Sequence, residues 1–178
     1  MGVSDTRAEA TAPAEPALDP APEASACPGC GTVLAVLPGS TGDHPGASAG
    51  CAALFAVTVR GLRDEAGRDA RAAALLQLAT DAYDAQHLLD GEPATAPLRV
   101  GLQVERGLDP DRARELAAGA PVLPGRPARW TTTVADLAAD LDVVDLPTLL
   151  RTWADAVWAD WTPYAAPLHA AADTGGPR

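Results

Sequence analysis

The chain of 178 residues has no lysine, isoleucine or asparagine, and its only methionine is Met1. The missing types share AT-rich codons, so a GC-rich coding sequence accounts for them, and the richness in alanine and arginine carries no functional meaning. Basic charge is scarce: 13 cationic residues against 24 acidic ones leave a net charge of −11. Such a surface repels phosphate backbones and no basic stripe offsets it, which argues against a nucleic-acid partner. No apolar run approaches the roughly 20 residues that cross a bilayer, so no membrane span is expected. Residues 1–26 hold acidic residues and four prolines but no hydrophobic segment, and are not read as a secretory signal. HExxH, GxSxG and phosphate-binding glycine loops are all missing, as are repeats and any alternation of strand with helix.

Cysteine occurs only three times, at Cys27, Cys30 and Cys51. An odd count without an export signal points to reduced thiols and a cytoplasmic location, where cysteines bind metal or react rather than form structural disulfides. Two of the three lie in Cys27-Pro28-Gly29-Cys30-Gly31. Two thiols separated by two residues, with glycines that free the backbone, form a knuckle able to present both sulfurs to one tetrahedral ion.

The remaining pattern is helical. Residues 1–25 are rich in Ala, Pro and Glu and read as a disordered tail, because they cannot bury enough apolar surface to offset ordering entropy. Residues 26–170 read as one helical domain with the knuckle at its start, and 171–178 as a flexible tail. Within the domain, Val33 to Leu37 suggests a short extended piece. Cys51, Leu54, Phe55, Val59 and Leu62 share one face of a first helix running from about Ser48 to Glu65. Gly67 breaks it. A second helix, from about Asp69 to His87, carries Ala72, Leu75, Leu76, Ala79, Tyr83 and His87 on one stripe. Further helices are predicted near Ala96–Glu105, after Asp109-Pro110, at Thr133–Leu141 behind a near capping box, and at Asp145–Thr162. Residues 120–130, with three prolines, read as loop, and Pro163 and Pro167 loosen the chain beyond the last helix. The fold class is therefore mostly α: a small helical bundle with an N-terminal zinc-knuckle loop and a disordered N-terminal tail.

If the first two helices form an antiparallel hairpin about Gly67, the start of one adjoins the end of the other. Cys51 and His87 then face one interior corner, and the knuckle need only fold over it. Cys27, Cys30, Cys51 and His87 make a closed Cys3His set for one structural zinc, with a site charge of about −1. The bland reading stands beside this one. A cysteine on an apolar face is usually a small core residue, and a histidine at a helix C-terminus often answers the dipole. His44, in the loop before Cys51, is the rival fourth ligand, although Asp43-His44-Pro45 also suits a solvated turn.

A redox role for Cys27 and Cys30 is weaker, because such dithiols sit at a helix N-terminus after a strand and Pro28-Gly29 initiates a helix poorly. Asp81, Asp84 and Glu105 are candidate catalytic carboxylates, but isolated acids on helices are mostly solvated faces. Trp153, Trp158 and Trp161 at helical spacing read as core before pocket. The expected role is binding or scaffolding toward a protein or small-molecule partner. The enzyme alternative requires an open zinc site of three protein ligands plus water, with His87 outside the shell as a base.

The order of these pieces resembles an uncharacterised bacterial family, domain of unknown function 5946. Its members read CPGCG, then Gly-Cys-Trp, DAYxxQH, LERG and a tryptophan-rich C-terminal helix. The corresponding stretches are Cys27 to Gly31, Gly50-Cys51, Asp81 to His87, Val104 to Gly107 and Trp153 to Trp161. Ala52 stands where the family has tryptophan, Leu88-Leu89 where Pro-Gly is common, and Pro163-Tyr164 replaces a histidine-rich step. The resemblance implies no reaction, and the four proposed ligands all lie within its motifs.

Overall fold

The computed structural model describes residues 23–37 and 44–174. The tail expected over 1–25 lies outside the described residues up to position 22, as does the stretch 175–178. The chain opens as a hairpin: β1 (Ala24–Ala26) pairs antiparallel with β2 (Val33–Ala35), Ala26 opposite Val33. The first strand thus begins inside the stretch read as tail, and the knuckle is the turn between the strands. Gly31, at φ 77°, supplies the left-handed residue that closes this turn.

The described elements are otherwise helical, as the apolar periodicity predicts. The expected first helix is two: α1 (Ala49–Thr58) and α2 (Arg60–Glu65). They part at Val59, whose φ of −94° and ψ of 8° leave the helical range. Val59 is β-branched and Gly61 lies close behind it, so local propensity offers little resistance to a bend. Helix α3 (Ala70–Gln86) starts where Asp69 accepts bonds from the Arg71 and Ala72 amides at 2.7 and 3.1 Å. Next come α4 (Thr95–Arg106), α5 (Pro110–Ala117) and α6 (Val134–Ala139). Asp109 caps α5 with proline in the first turn, and Asp136 of α6 reaches back to the Thr133 amide at 2.8 Å.

Helix α7 (Leu146–Trp161) carries the tryptophans, and a single 3-10 turn at Thr162–Tyr164 leads into α8 (Ala165–Thr174). The prolines expected to loosen this end do not. Pro163 and Pro167 each fall in the first turn of a helical segment, where no amide hydrogen is needed. Leu168 and Ala172, four apart, bury one face of α8. Its other side is tied to α4 by His169–Glu105 at 2.8 Å and Arg106–Asp173 at 3.1 Å.

At the centre α3 packs on α2, α4 and α7, and α4 packs on α5 and α7. Trp153, Trp158 and Trp161 are buried core residues with Leu98, Leu102 and Leu150, and of the three Trp153 also borders a cavity of about 260 Å³ beside Leu137 and Leu149. Helices α4 and α7 approach closely because Gly101 has no side chain. A Cβ there would lie 2.6 Å from the Trp158 ring. Gly101→Ala gains about 1 kcal/mol of helix propensity, yet overpacking costs about 1–3 kcal/mol. Urea denaturation is therefore expected to show a variant at best no more stable than the parent and destabilised by up to about 2 kcal/mol. A clearly stabilised variant would mean that Trp158 moves aside freely.

Candidate metal centre

Three elements deliver the cluster. The hairpin turn carries Cys27 and Cys30, the first turn of α1 carries Cys51, and the end of α3 carries His87 as its C-cap. Ser48 ties Cys51 to Cys27. Its hydroxyl accepts the Cys51 amide at 3.2 Å, while its own amide donates to the Cys27 sulfur at 3.3 Å. Two glycines allow the segments to close on His87: a Cβ at Gly29 would strike its ring, and one at Gly46 its carbonyl.

The four side chains that sequence spacing singled out are brought together. His87 Nε2 lies 3.4 Å from both Cys27 Sγ and Cys51 Sγ, and Cys30 Sγ lies 3.7 Å from Cys51 Sγ. The four donor atoms all sit within 4.8 Å of one another, close enough to hold one metal ion, and each residue is buried. His87 Nδ1 lies 2.7 Å from the Tyr83 carbonyl, one turn back on the same helix. Only a protonated Nδ1 can donate there, so Nε2 is the ring nitrogen that faces the sulfurs and would offer its lone pair to an ion.

The cluster's protonation is set by this crowding. Hydrogen bonds with Cys30 and Cys51 hold the Cys27 thiol far below the usual range. The same contacts, seen from Cys51, push that thiol up, with burial adding to the effect. Burial pulls the His87 imidazole down, but hydrogen bonds to Cys27 and Cys30 outweigh it and leave the group at about 9. The Tyr83 hydroxyl, buried and without a hydrogen-bond partner among the described residues, is raised by burial and by the neighbouring Cys51. A thiolate facing an imidazolium is thus the ion-free arrangement, and a metal ion would take the place of the proton on Nε2.

His44 stands beside the cluster and not in it. Its Nδ1 accepts the Gly46 amide at 3.1 Å, its Nε2 points to Asp84 at 3.8 Å, and its ring centre is 5.7 Å from that of His87. Asp81 overturns the expectation of a solvated face, because it is fully buried. Its carboxylate accepts from Gln77 at 3.0 Å and Gln103 at 2.8 Å and faces Arg99 Nε at 3.0 Å. Burial still raises its pKa despite Arg99 and both amides. With its oxygens so engaged, Asp81 joins α3 to α4. Burial also raises Asp84, against the pull of His44 and Arg99. Glu105 is on the surface with His169.

Two residues that hold the site went unread. Trp130 Nε1 donates to the Gly29 carbonyl at 3.0 Å, and Arg126 donates to Pro28 and Leu88 carbonyls, both at 3.2 Å. Both lie in the proline-rich loop at 120–130, where no periodicity signals a partner. The one aromatic and two arginines in a loop otherwise of apolar residues and glycine were the only cue.

No curated protein and no solved structure matches the chain. Residues 25–162 match the family of unknown function DUF5946, a stretch that runs from β1 through the last helical turn of α7 and contains all four cluster residues. Since that match covers most of the chain, the protein belongs to the DUF5946 family.

Proposed function

We propose that Cys27, Cys30, Cys51 and His87 bind one structural zinc ion, and that the helical domain it pins serves as a binding or scaffolding module. The observation that carries this is the shape of the donor set. Zinc bonds of about 2.3 Å to sulfur and about 2.05 Å to nitrogen, arranged tetrahedrally, require S···S edges of about 3.75 Å and S···N edges of about 3.5 Å. Three of the six edges match: Cys30–Cys51 at 3.7 Å and His87 to Cys27 and Cys51 at 3.4 Å each, with all four donors within 4.8 Å of one another. Three thiolates and an imidazole also match zinc's preference for sulfur and nitrogen donors. Four buried protein donors leave no position for water or substrate, which favours a structural ion over a catalytic one. With His87 Nε2 turned toward two sulfurs, the open-shell alternative has no base to offer. Thiol exchange at Cys27 and Cys30 is disfavoured too, because both lie in a strand-to-strand turn and not at a helix N-terminus.

Bound zinc would join the hairpin, α1 and α3 at one point. Structural zinc sites contribute about 10 kcal/mol or more, comparable with the whole stability of a small domain. The partner is a protein or a small molecule, and the anionic surface disfavours nucleic acid.

Elemental analysis of reduced, untagged protein prepared without chelator is expected to give about one zinc per chain, with an X-ray absorption shell of three sulfurs and one nitrogen. Protein that folds without metal would end this reading. His87→Ala should lower zinc affinity by at least about 100-fold and lower the melting temperature, since metal affinity is coupled to folding. His44→Ala should change neither to a similar degree. A chelator competition titration on both variants decides between them, and the opposite ranking would make His44 the ligand.

Acidity supplies a further check. Zinc needs neutral His87 and deprotonated sulfurs, and the ion-free imidazole titrates at about 9. From pH 8 to pH 6 the ion must therefore displace the Nε2 proton, and thiol protons besides. Apparent affinity is expected to fall by at least about tenfold for each unit of pH lost. A flat profile in the same competition assay would mean that the ion is not held by these thiolates and His87 at all.

A further inference from the structure

Beside the cluster runs a groove of about 770 Å³, walled by the outer face of the knuckle and by the segment around Arg126, Trp130 and Asp136. Of the four cluster residues only Cys30 lines it; Cys27, Cys51 and His87 do not. Cys30 is thus the cluster residue at the groove wall, 5% exposed, with its sulfur 3.7 Å from Cys51 Sγ and 3.4 Å from the Thr32 hydroxyl. A zinc-bound thiolate in a Cys3His set keeps excess negative charge on sulfur, and reactivity among such sulfurs depends on access.

We propose that Cys30 is the modification site of this centre: a thiolate open to small hydroperoxides through the groove, which oxidises to a disulfide with Cys51 and expels the metal. This rests on the zinc reading above. The Cys30 sulfur attacks one peroxide oxygen, an S–O bond forms, the O–O bond breaks, and the departing hydroxide takes a proton to become water. The product is a sulfenic acid at Cys30. Cys51 sulfur attacks that sulfur, the S–S bond forms, and the second oxygen leaves as hydroxide, which is likewise protonated to water. Two thiolates, one hydrogen peroxide and two protons become one disulfide and two waters, with two electrons passing from sulfur to oxygen. The 3.7 Å contact has to close to about 2.05 Å, and the glycines on either side of Cys30 give its backbone the freedom to do so. Cys27 and His87 remain, two donors where the tetrahedron needs four, so the ion leaves.

The experiment uses the full chain, reduced and shown by elemental analysis to carry one zinc. A chain that carries none sinks the zinc reading and never enters this test, so the two failures are distinct. In the first arm, limiting iodoacetamide is added to the native zinc protein and labelling is tracked by mass spectrometry. Cys30 is expected to label at least tenfold faster than Cys27 or Cys51, and either of those reacting first or at the same rate overturns the proposal. In the second arm, hydrogen peroxide is added with a chromogenic zinc chelator present. One zinc is expected to be released per disulfide formed. Cleavage after Asp43 in the denatured product separates Cys51 from the knuckle, so a link to Cys51 appears as a joined pair of peptides, and tandem fragmentation between Cys27 and Cys30 tells a Cys30–Cys51 link from a Cys27–Cys51 link, which would overturn the proposal. A Cys27–Cys30 disulfide overturns the proposal, as does zinc held at peroxide levels that oxidise glutathione alongside.

Discussion

The register of the first two helices against α3 governs everything near the cluster. Cys51 Sγ meets His87 Nε2 at 3.4 Å, and Phe55 stacks on Tyr83 with ring centres 4.2 Å apart and planes 15° from parallel. The two contacts are four residues apart on each helix and run in opposite directions, as an antiparallel pairing demands. Each helical residue turns the side chain by about 100°, so a slip of one position would aim Cys51 away from His87 and Phe55 away from Tyr83. The apolar stacking therefore holds the donors in register before any ion is considered. The length of α3 matters for the same reason. Asp69 fixes where it begins, and His87 is its first residue past the end.

From that corner the constraint spreads outward through backbone carbonyls. Gln86, next to His87, donates to the Thr132 carbonyl at 2.8 Å and accepts from Trp153 at 3.3 Å, which fastens the end of α3 to the loop before α6 and to α7. Trp130 and Arg126 hold the knuckle from the opposite side. The Asp81–Arg99–Gln103 group joins α3 to α4 two turns below. The segment Asp81 to His87 thus works by alternate faces: Asp81 toward α4, Tyr83 and His87 toward the cluster, Gln86 toward α7. Removing a partner of Asp81 or Gln86 would leave a buried polar group unsatisfied, which costs more than the bond itself contributes.

Helical periodicity made α3 and α7 legible to within a residue or two, because their caps, Asp69 and Asp145, are plain in the sequence. The donor set was legible for a similar reason: a CxxC pair has few uses outside metal or redox chemistry, and the Cys51–His87 convergence is a consequence of hairpin geometry. The features that escaped have no periodic signature. The bend at Val59 depends on how α2 seats on α3. Helix α8 depends on Leu168 and Ala172 finding a buried face, which overrides the prolines at its start. Asp81 looked solvated because its partners Arg99 and Gln103 lie on another helix, about two dozen residues away. Trp130 and Arg126 act through carbonyls of the knuckle, and a carbonyl has no letter in the sequence.

Charge decides how such a cluster survives in a chain of net charge −11. Buried thiolates need compensation, and the arginines nearby are engaged elsewhere: Arg99 faces Asp81 at 3.0 Å and Asp84 at 3.9 Å, and Arg126 donates to the Pro28 and Leu88 carbonyls. Among the described residues, the hydrogen-bond partners of the sulfurs are one another, His87, the Thr32 hydroxyl and the Ser48 amide. None is a lysine or arginine. The first turn of α1 adds a partial positive charge of about half a unit near Cys51. Among the hydrogen-bond partners of the sulfurs in the described residues, only an imidazolium at His87 would carry a full positive charge, enough for one thiolate and not for three. A divalent cation at the centre of the four donors would supply the rest and bring the site to about −1. Each sulfur added to the cluster therefore makes the ion-free protein less stable and the ion more necessary.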